Sequence, residues 1–285
     1  MPSLLALAER AGRAALHARG LRSRSVPTSA GTLHAYDGAG HGALPTMVVL
    51  HGLGAAATPF GPVLTRLQRH ARRVVAIELP GHGFSATPPA SLGATELLGA
   101  MREALDAVLD EPAVVCGNSL GGAVALRYAL DRPERVRGLV LTSPAGAPLS
   151  DDELATLRSG FDLGTDADAR AFMGRLYHRR PWFGPIVAGE VRALMHRPVI
   201  RDLLASARAD DAPTPAELAA LCPPTLLWWG RSERLLPPSG LAYLRAHLPA
   251  HAIVEEPEGV GHCPHIDDPA RLAERIVAFA RGLED

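Results

Sequence analysis

The stretch that most narrows the possible folds is Val114-Val115-Cys116-Gly117-Asn118-Ser119-Leu120-Gly121-Gly122. A short apolar, β-branched run feeds Gly-x-Ser-x-Gly, and Ala123 to Leu130 continue with helical composition. A strand that turns into a helix this abruptly needs glycine at Gly117 and Gly121, because the backbone at the turn is strained and its neighbours pass too close for a Cβ. Ser119 is thereby pushed out at the strand tip. The helix behind it points its unpaired N–H groups and positive dipole end at any anion formed there. Glycine and serine are also common in plain turns, so a chemical role for Ser119 requires partners elsewhere in the chain.

With 285 residues, either two small domains or one large α/β domain with an insertion can bury a sizeable core. The pattern favours the second. Thr32 to Tyr36 reads as a short edge strand followed by a loop over Asp37 to Gly42, and Thr46 to Leu50 as a strand covered on both faces. A helix around Pro62 to His70, a strand at Val74 to Ile77, a helix over Thr95 to Leu109 and a strand at Val136 to Thr142 continue the alternation. It resumes with strands at Pro224 to Gly230 and around Ala252 to Glu255, and closes with a helix from Pro269 to Gly282. Alternating strands and helices predict an α/β fold with a mostly parallel, doubly wound sheet. The expected core is 26–147 together with 214–285.

Between them, residues 148–213 contain no convincing strand. Four helices are expected there: one beginning near Asp151, then Ala167 to Tyr177, Pro185 to Met195 and Val199 to Arg208. An insertion after the Ser119 turn would lie over the strand tips as a helical cap. Phe161, Phe172, Met173, Leu176, Tyr177, Trp182, Phe183, Ile186 and Val187 supply the apolar groups that could line an acyl site. Arg175, His178, Arg179, Arg180 and Arg192 read most simply as a solvated face.

Residues 1–25 form an N-terminal helical segment. Leu4, Ala8, Ala11 and Ala15 recur at helical spacing among arginines, and no acid occurs between Glu9 and Asp37. Membrane-surface and organelle-targeting segments share this character. A stripe made mostly of alanine binds a bilayer only weakly, so a helix lying on the body of the protein is expected. No apolar run approaches a membrane span, and the expected location is cytoplasmic. The formal net charge of -1 gives no global field to recruit nucleic acid. Cys116, Cys222 and Cys263 offer neither a disulfide framework nor a zinc spacing, and the serine chemistry inferred below requires no metal or other cofactor.

Two further loops at predicted strand ends carry candidate partners for Ser119. Glu233 lies in Arg231-Ser232-Glu233-Arg234, just beyond the Pro224 to Gly230 strand, and His262 lies in Gly261-His262-Cys263-Pro264-His265. His51 and His82 also follow strands but suit loop-holding roles, and Asp267 and Asp268 suit the start of the last helix as caps or dipole partners. The loop His51-Gly52-Leu53-Gly54 turns a backbone N–H, that of Leu53, toward the neighbouring strand tip. With the N–H of Leu120 it would make a two-donor oxyanion hole.

The chain order Ser119, Glu233, His262 resembles that of the α/β-hydrolase superfamily from Gly31 onward. The matching motifs are His51-Gly52, Leu79-Pro80-Gly81-His82-Gly83-Phe84-Ser85, Gly117-Asn118-Ser119-Leu120-Gly121-Gly122, Trp229-Gly230 and Gly261-His262. One departure stands out: glutamate occupies the acid position, where aspartate is usual. The resemblance implies a catalytic triad of Ser119, Glu233 and His262 and an acyl-enzyme on Ser119. The segment Leu141-Thr142-Ser143-Pro144-Ala145-Gly146 entering the cap is similar to monoacylglycerol lipases and related esterases. The expected substrates are small carboxylic esters with an apolar short- or medium-chain or monoacylglycerol-like acyl part. The alternative is the group that hydrolyses carbon–carbon bonds in vinylogous diketones, which often shares the Gly-Asn-Ser elbow. That group tends to have proline in the glycine loop and tryptophan after the histidine, where this chain has His51-Gly52-Leu53-Gly54-Ala55-Ala56 and Cys263. Weaker alternatives are an acyltransferase, which would use the same triad with an acceptor other than water, and a non-catalytic binding protein, which is disfavoured because no triad residue is missing.

Overall fold

The computed structural model describes residues 3–283. After helix α1 (Leu4–Ala18) come strands β1 (Arg22–Thr28), β2 (Gly31–Ala39) and β3 (Met47–Leu50), helix α2 (Gly61–Leu67) and strand β4 (Arg73–Ile77). Helix α3 (Ala94–Val108), strand β5 (Ala113–Asn118), helix α4 (Leu120–Asp131) and strand β6 (Val136–Thr142) follow. Helices α5 (Asp151–Ser159), α6 (Asp166–Leu176), α7 (Gly184–Met195), α8 (Pro198–Ser206) and α9 (Pro215–Ala219) separate β6 from β7 (Thr225–Trp228). The chain closes with α10 (Pro238–His247), β8 (Ile253–Glu255), α11 (Pro264–Asp267) and α12 (Pro269–Arg281).

The sheet has eight strands in the order β1-β2-β4-β3-β5-β6-β7-β8. β1 and β2 pair antiparallel, as do β2 and β4, and every later pairing is parallel. Side chains alternate across the pleat, so the continuous apolar runs of the inner strands serve two cores at once. Val48, Leu50, Val75 and Ile77 face the layer built by α3 and α4. Met47, Val49, Val74 and Ala76 face the layer built by α2 and α12. The parallel strands β3, β5, β6 and β7 all end at the same edge, which brings their following loops together.

Three expectations need correction. Of the helical segment expected over 1–25, residues 1–2 lie outside the described residues and, among those described, only α1 is helical; Gly20 adopts a positive φ of 84° just after it, and Arg22 to Thr28 pair with β2 as the edge strand. The expected edge strand at Thr32 to Tyr36 is therefore an inner one, and it runs on to Ala39 through part of the expected loop. Pairing on both sides overrides the turn composition of Asp37-Gly38-Ala39, while Arg24 and Arg73 hold the Asp37 carboxylate. The third concerns α9 and α10, which follow the expected end of the insertion and went unpredicted. Both are short and start at proline, Pro215 and Pro238, so neither offers a long apolar repeat.

α1 lies on the body of the protein. The Glu190 carboxylate of α7 accepts the Leu4 and Leu5 N–H groups, both at 2.7 Å, satisfying two unpaired donors at the start of α1. Leu16 is buried against the α2 layer. No helix among the described residues is long and apolar enough to cross a membrane.

Candidate active site

Ser119 sits between β5 and α4 with φ 53° and ψ −119°, a left-handed backbone that a serine adopts only under constraint. The constraint comes from bonds and close packing. Its carbonyl accepts from Gly122, Ala123 and Ala145, and its N–H donates to Thr142 at 3.2 Å. A Cβ at Gly121 would collide with the carbonyls of Leu50 and His51, and one at Gly117 with the carbonyl of Gly121. A Cβ at Gly52 would stand 3.0 Å from the Ser119 Cβ, so the glycine loop runs directly against the serine.

Glu233 and His262 meet as a buried pair, with His262 Nδ1 2.7 Å from Glu233 Oε2. The other carboxylate oxygen, Oε1, accepts the N–H groups of Leu235 and Leu236 at 2.7 and 3.0 Å. Burial alone would raise the Glu233 pKa, but the His262 charge and hydrogen bond, with the two backbone donors, hold it below its ordinary value. The carboxylate is thus fixed in the charged form that orients an imidazole. Among the described residues the Ser119 hydroxyl makes no hydrogen bond to His262. Asn118 ties the two loops together instead, donating from Nδ2 to the carbonyls of His262 at 2.9 Å and Thr142 at 3.0 Å. Such catalytic contacts often tighten only once substrate is bound.

Leu53 and the first α4 residue Leu120, the expected oxyanion donors, flank the Gly52–Ser119 contact, and neither spends its N–H in a hydrogen bond among the described residues. His51 holds this loop: Nδ1–H donates to the Gly52 carbonyl at 2.8 Å and Nε2 accepts the Leu79 N–H at 3.1 Å. Burial lowers its pKa and keeps it neutral. His82 donates from Nδ1 to the Pro80 carbonyl and is likewise held neutral, its pKa pushed down to about 3 by burial and by His51. A residue that sequence reasoning missed, Glu78, supports the same region by accepting the Ala57 and Phe84 N–H groups and pairing with His34. Only its strand-end position could have pointed to it.

The insertion reaches the loops of both Glu233 and His262 through one short segment, which corrects the expectation of a solvated face for His178, while Arg179 and Arg180 are exposed. His178 Nδ1 lies 2.8 Å from the Ser232 hydroxyl, and Arg234 donates to the carbonyls of Tyr177 and His178. These contacts bracket Glu233. The Leu176 carbonyl accepts the Cys263 N–H, and the Asp267 carboxylate accepts the N–H groups of both Gly261 and His178. Those bracket His262. Asp268 caps α12 as expected by accepting the Arg271 N–H, whereas Asp267 belongs to this clamp. Arg175 is also engaged, donating to the Gly160 carbonyl.

An apolar cavity of about 180 Å³ lies against Leu120 of α4, walled by Leu97 and Leu98 of α3, Leu154 and Leu157 of α5, and Leu236 after Glu233. None of the aromatic residues expected to line an acyl site borders it. Phe161, Phe172, Met173 and Val187 are buried in packing, and Trp182 and Ile186 are exposed. Composition identified apolar residues but could not say which face of each helix they occupy. Among the described residues no cluster of histidine, cysteine and acidic side chains could hold a metal ion.

The sequence profile of the alpha/beta hydrolase fold family matches residues 45–269. The pimeloyl-[acyl-carrier protein] methyl ester esterase of Xanthomonas campestris pv. campestris is 30% identical over 258 residues, spanning 87% of this chain and 98% of that protein. Among solved structures, a membrane phospholipase A described as a bacterial virulence factor is similar with a TM-score of 0.81 and 26% identity, over 99% of this chain and 92% of that one. The 2-hydroxy-6-oxo-6-phenylhexa-2,4-dienoate hydrolase of Rhodococcus sp. strain RHA1 is similar with a TM-score of 0.79 and 23% identity, over 91% of this chain and 98% of that one. At that identity the likeness is one of fold.

Proposed function

Because the chain belongs to the α/β-hydrolase family, we propose that it is a serine carboxylesterase that cleaves small apolar esters through an acyl-enzyme on Ser119. The observation that carries this reading is the buried Glu233–His262 pair, tied by Asn118 to the strained Ser119 turn. The similarity to a methyl ester esterase at 30% identity supports an ester as substrate.

A serine hydroxyl is a weak nucleophile at neutral pH, so His262 accepts its proton as Ser119 attacks the ester carbonyl. Glu233 holds the imidazole with Nδ1 protonated and stabilises the imidazolium that forms. The N–H groups of Leu53 and Leu120 receive the negative charge of the tetrahedral intermediate. His262 returns the proton to the leaving alcohol, then activates the water that releases the acid. The acyl chain enters the cavity beside Leu120, where each buried methylene contributes roughly 0.8 kcal/mol until the space is filled.

The test is a fluorophosphonate probe together with a panel of p-nitrophenyl esters. Ser119→Ala should abolish labelling, and Ser119→Ala or His262→Ala should lower kcat/KM by on the order of 10³ or more with an unchanged melting temperature. Activity retained in either variant rejects the triad. A vinylogous diketone dienoate in the same panel separates ester from carbon–carbon cleavage, and a decisive preference for it would overturn the esterase reading.

A further inference from the structure

A helix on the surface of a globular protein ordinarily turns its apolar side inward and its charges outward. α1 packs Leu16 inward but leaves a second apolar stripe outside. Leu4, Leu7, Ala11, Ala14 and Ala18, spaced three and four residues apart, share one face, and all five are exposed. Polar groups of the helix turn to the body instead. Glu9 and Arg13 are half-buried, with the Arg13 guanidinium 4.5 Å from the centre of the Phe84 ring, and His17 reaches the Ser23 hydroxyl at 2.9 Å.

The outer stripe of α1 does not stand alone. Six large apolar side chains are well exposed among the described residues, and four of them belong to this corner: Leu4 at 48%, Leu7 at 45%, and, on the insertion, Ile186 at 58% and Trp182 at 83%. Glu190 joins the two groups, since its carboxylate accepts the Leu4 and Leu5 N–H groups while Ile186 lies one turn before it on α7 and Trp182 just ahead of that helix. The rim is cationic. Arg10 borders the α1 stripe, and Arg179 and Arg180 are exposed just before Trp182. Two acids of this region are already engaged, Glu190 with α1 and Asp166, beside Gly189, with Arg192 at 3.7 Å.

Large exposed apolar groups within a ring of arginines suit the headgroup region of an anionic bilayer. They suit a second copy of the chain poorly, because a two-fold contact sets the arginines of one copy against those of the other. We infer that the corner formed by α1 and the start of α7 is an interfacial anchor, which seats the protein on a membrane surface rich in anionic lipid. Trp182, Ile186, Leu4 and Leu7 enter the boundary between headgroups and acyl chains, and the arginines pair with lipid phosphates. The weak bilayer binding expected of α1 by itself is strengthened by the two side chains that the insertion adds.

Trp182 supplies its own signal, because Trp228 and Trp229 are buried. The full chain is titrated with vesicles of phosphatidylcholine alone and of phosphatidylcholine mixed with an equal part of phosphatidylglycerol, read by tryptophan emission and co-sedimentation. Blue-shifted emission and co-sedimentation are expected with the anionic vesicles, both weakened by added salt. Trp182→Ser combined with Ile186→Ser should lower partitioning by about tenfold or more at an unchanged melting temperature. Arg179→Ser combined with Arg180→Ser should lower it by about tenfold at low salt. Failure to partition onto the anionic vesicles overturns the inference, as does equal partitioning of the variants and the unaltered protein. Equal uptake by both kinds of vesicle removes the cationic rim from it and overturns it too. A dimer in solution that the same substitutions dissociate, in place of vesicle binding, would make this corner an interface between copies.

Discussion

The tips of the central strands and the helical insertion beside them are both well packed, but they are built from different material. At the tips, backbone lies against backbone: a Cβ at Gly121, Gly117 or Gly230 would collide with carbonyl groups of neighbouring segments. In the insertion, side-chain ends fill the gaps. A Cβ at Gly184 would touch only the end of Met173 at 3.4 Å and one ring atom of Pro181, and at Gly189 only the Asp166 carboxylate at 3.8 Å. Backbone contact tolerates one residue type, whereas apolar filling tolerates many of similar volume. The strand tips therefore rest on fixed residues and the insertion on interchangeable ones.

The largest expected effect tests whether the fixed part is as exacting as this contrast implies. Glu233→Gln keeps the shape of the acid but loses its charge and favours the wrong imidazole tautomer, so kcat should fall by on the order of 10³ with the fold retained. A silent Glu233→Gln beside a severe Asp268→Asn would move the acid elsewhere. Next comes a matched pair of glycine substitutions, read by denaturant unfolding. Gly121→Ala should destabilise by about 3 kcal/mol or more, because the carbonyls it meets, those of Leu50 and His51, are main-chain groups at the end of β3, which pairing with β4 and β5 on either side keeps from retreating. Gly189→Ala, inside α7 with only a flexible carboxylate nearby, should stabilise by about 0.5–1 kcal/mol through helix propensity. Equal responses would erase the distinction between the two regions.

Asp267→Asn probes their junction. It removes one acceptor oxygen from the clamp on Gly261 and His178, and turnover should drop by about tenfold, with a smaller loss of stability. A smaller change is expected from Leu157→Phe, which narrows the cavity and should shift the preferred acyl length downward by one or two carbons. A p-nitrophenyl ester series reads this directly. A profile flat in chain length would mean that the cavity is not the acyl site.

The smallest effect is on acid stability. Glu233 has a folded pKa below its ordinary 4.5. Its contribution to stability is therefore complete above that value and disappears as pH falls through the lower folded value. Glu233→Gln should lose less stability than the unaltered protein between pH 5 and pH 3, measured by thermal melts.

What was legible in the sequence follows the same division. Gly117-x-Ser119-x-Gly121, the strand runs and the Glu233 and His262 loops could be placed because each rests on a backbone requirement or a strong apolar pattern. Strand β1 was missed because Arg22-Ser23-Arg24-Ser25 has no apolar alternation, and only pairing with β2 makes it a strand. The roles of His178 and Asp267 depend on contacts between residues 89 positions apart, which no local spacing encodes. Asn118 was visible as part of the motif, yet its bond to the His262 carbonyl depends on how the last loop folds back. The cavity wall was not legible for a related reason. Aromatic content reports how much apolar surface a helix carries, while the side it turns toward Ser119 is decided by packing.

The two borders of the sheet bear on how the protein behaves in a crowd. An open strand edge invites pairing with another chain, and aggregation often begins there. Here one border, β1, carries Pro27, which has no N–H to offer, and exposed charge at Arg22. The other, β8, spans only Ile253–Glu255. Each border leaves little for a foreign strand to template on. Refolding at high protein concentration should accordingly recover monodisperse material, and lengthening β8 or replacing Pro27 with a β-branched residue would be the quickest route to sticky, misassembled protein.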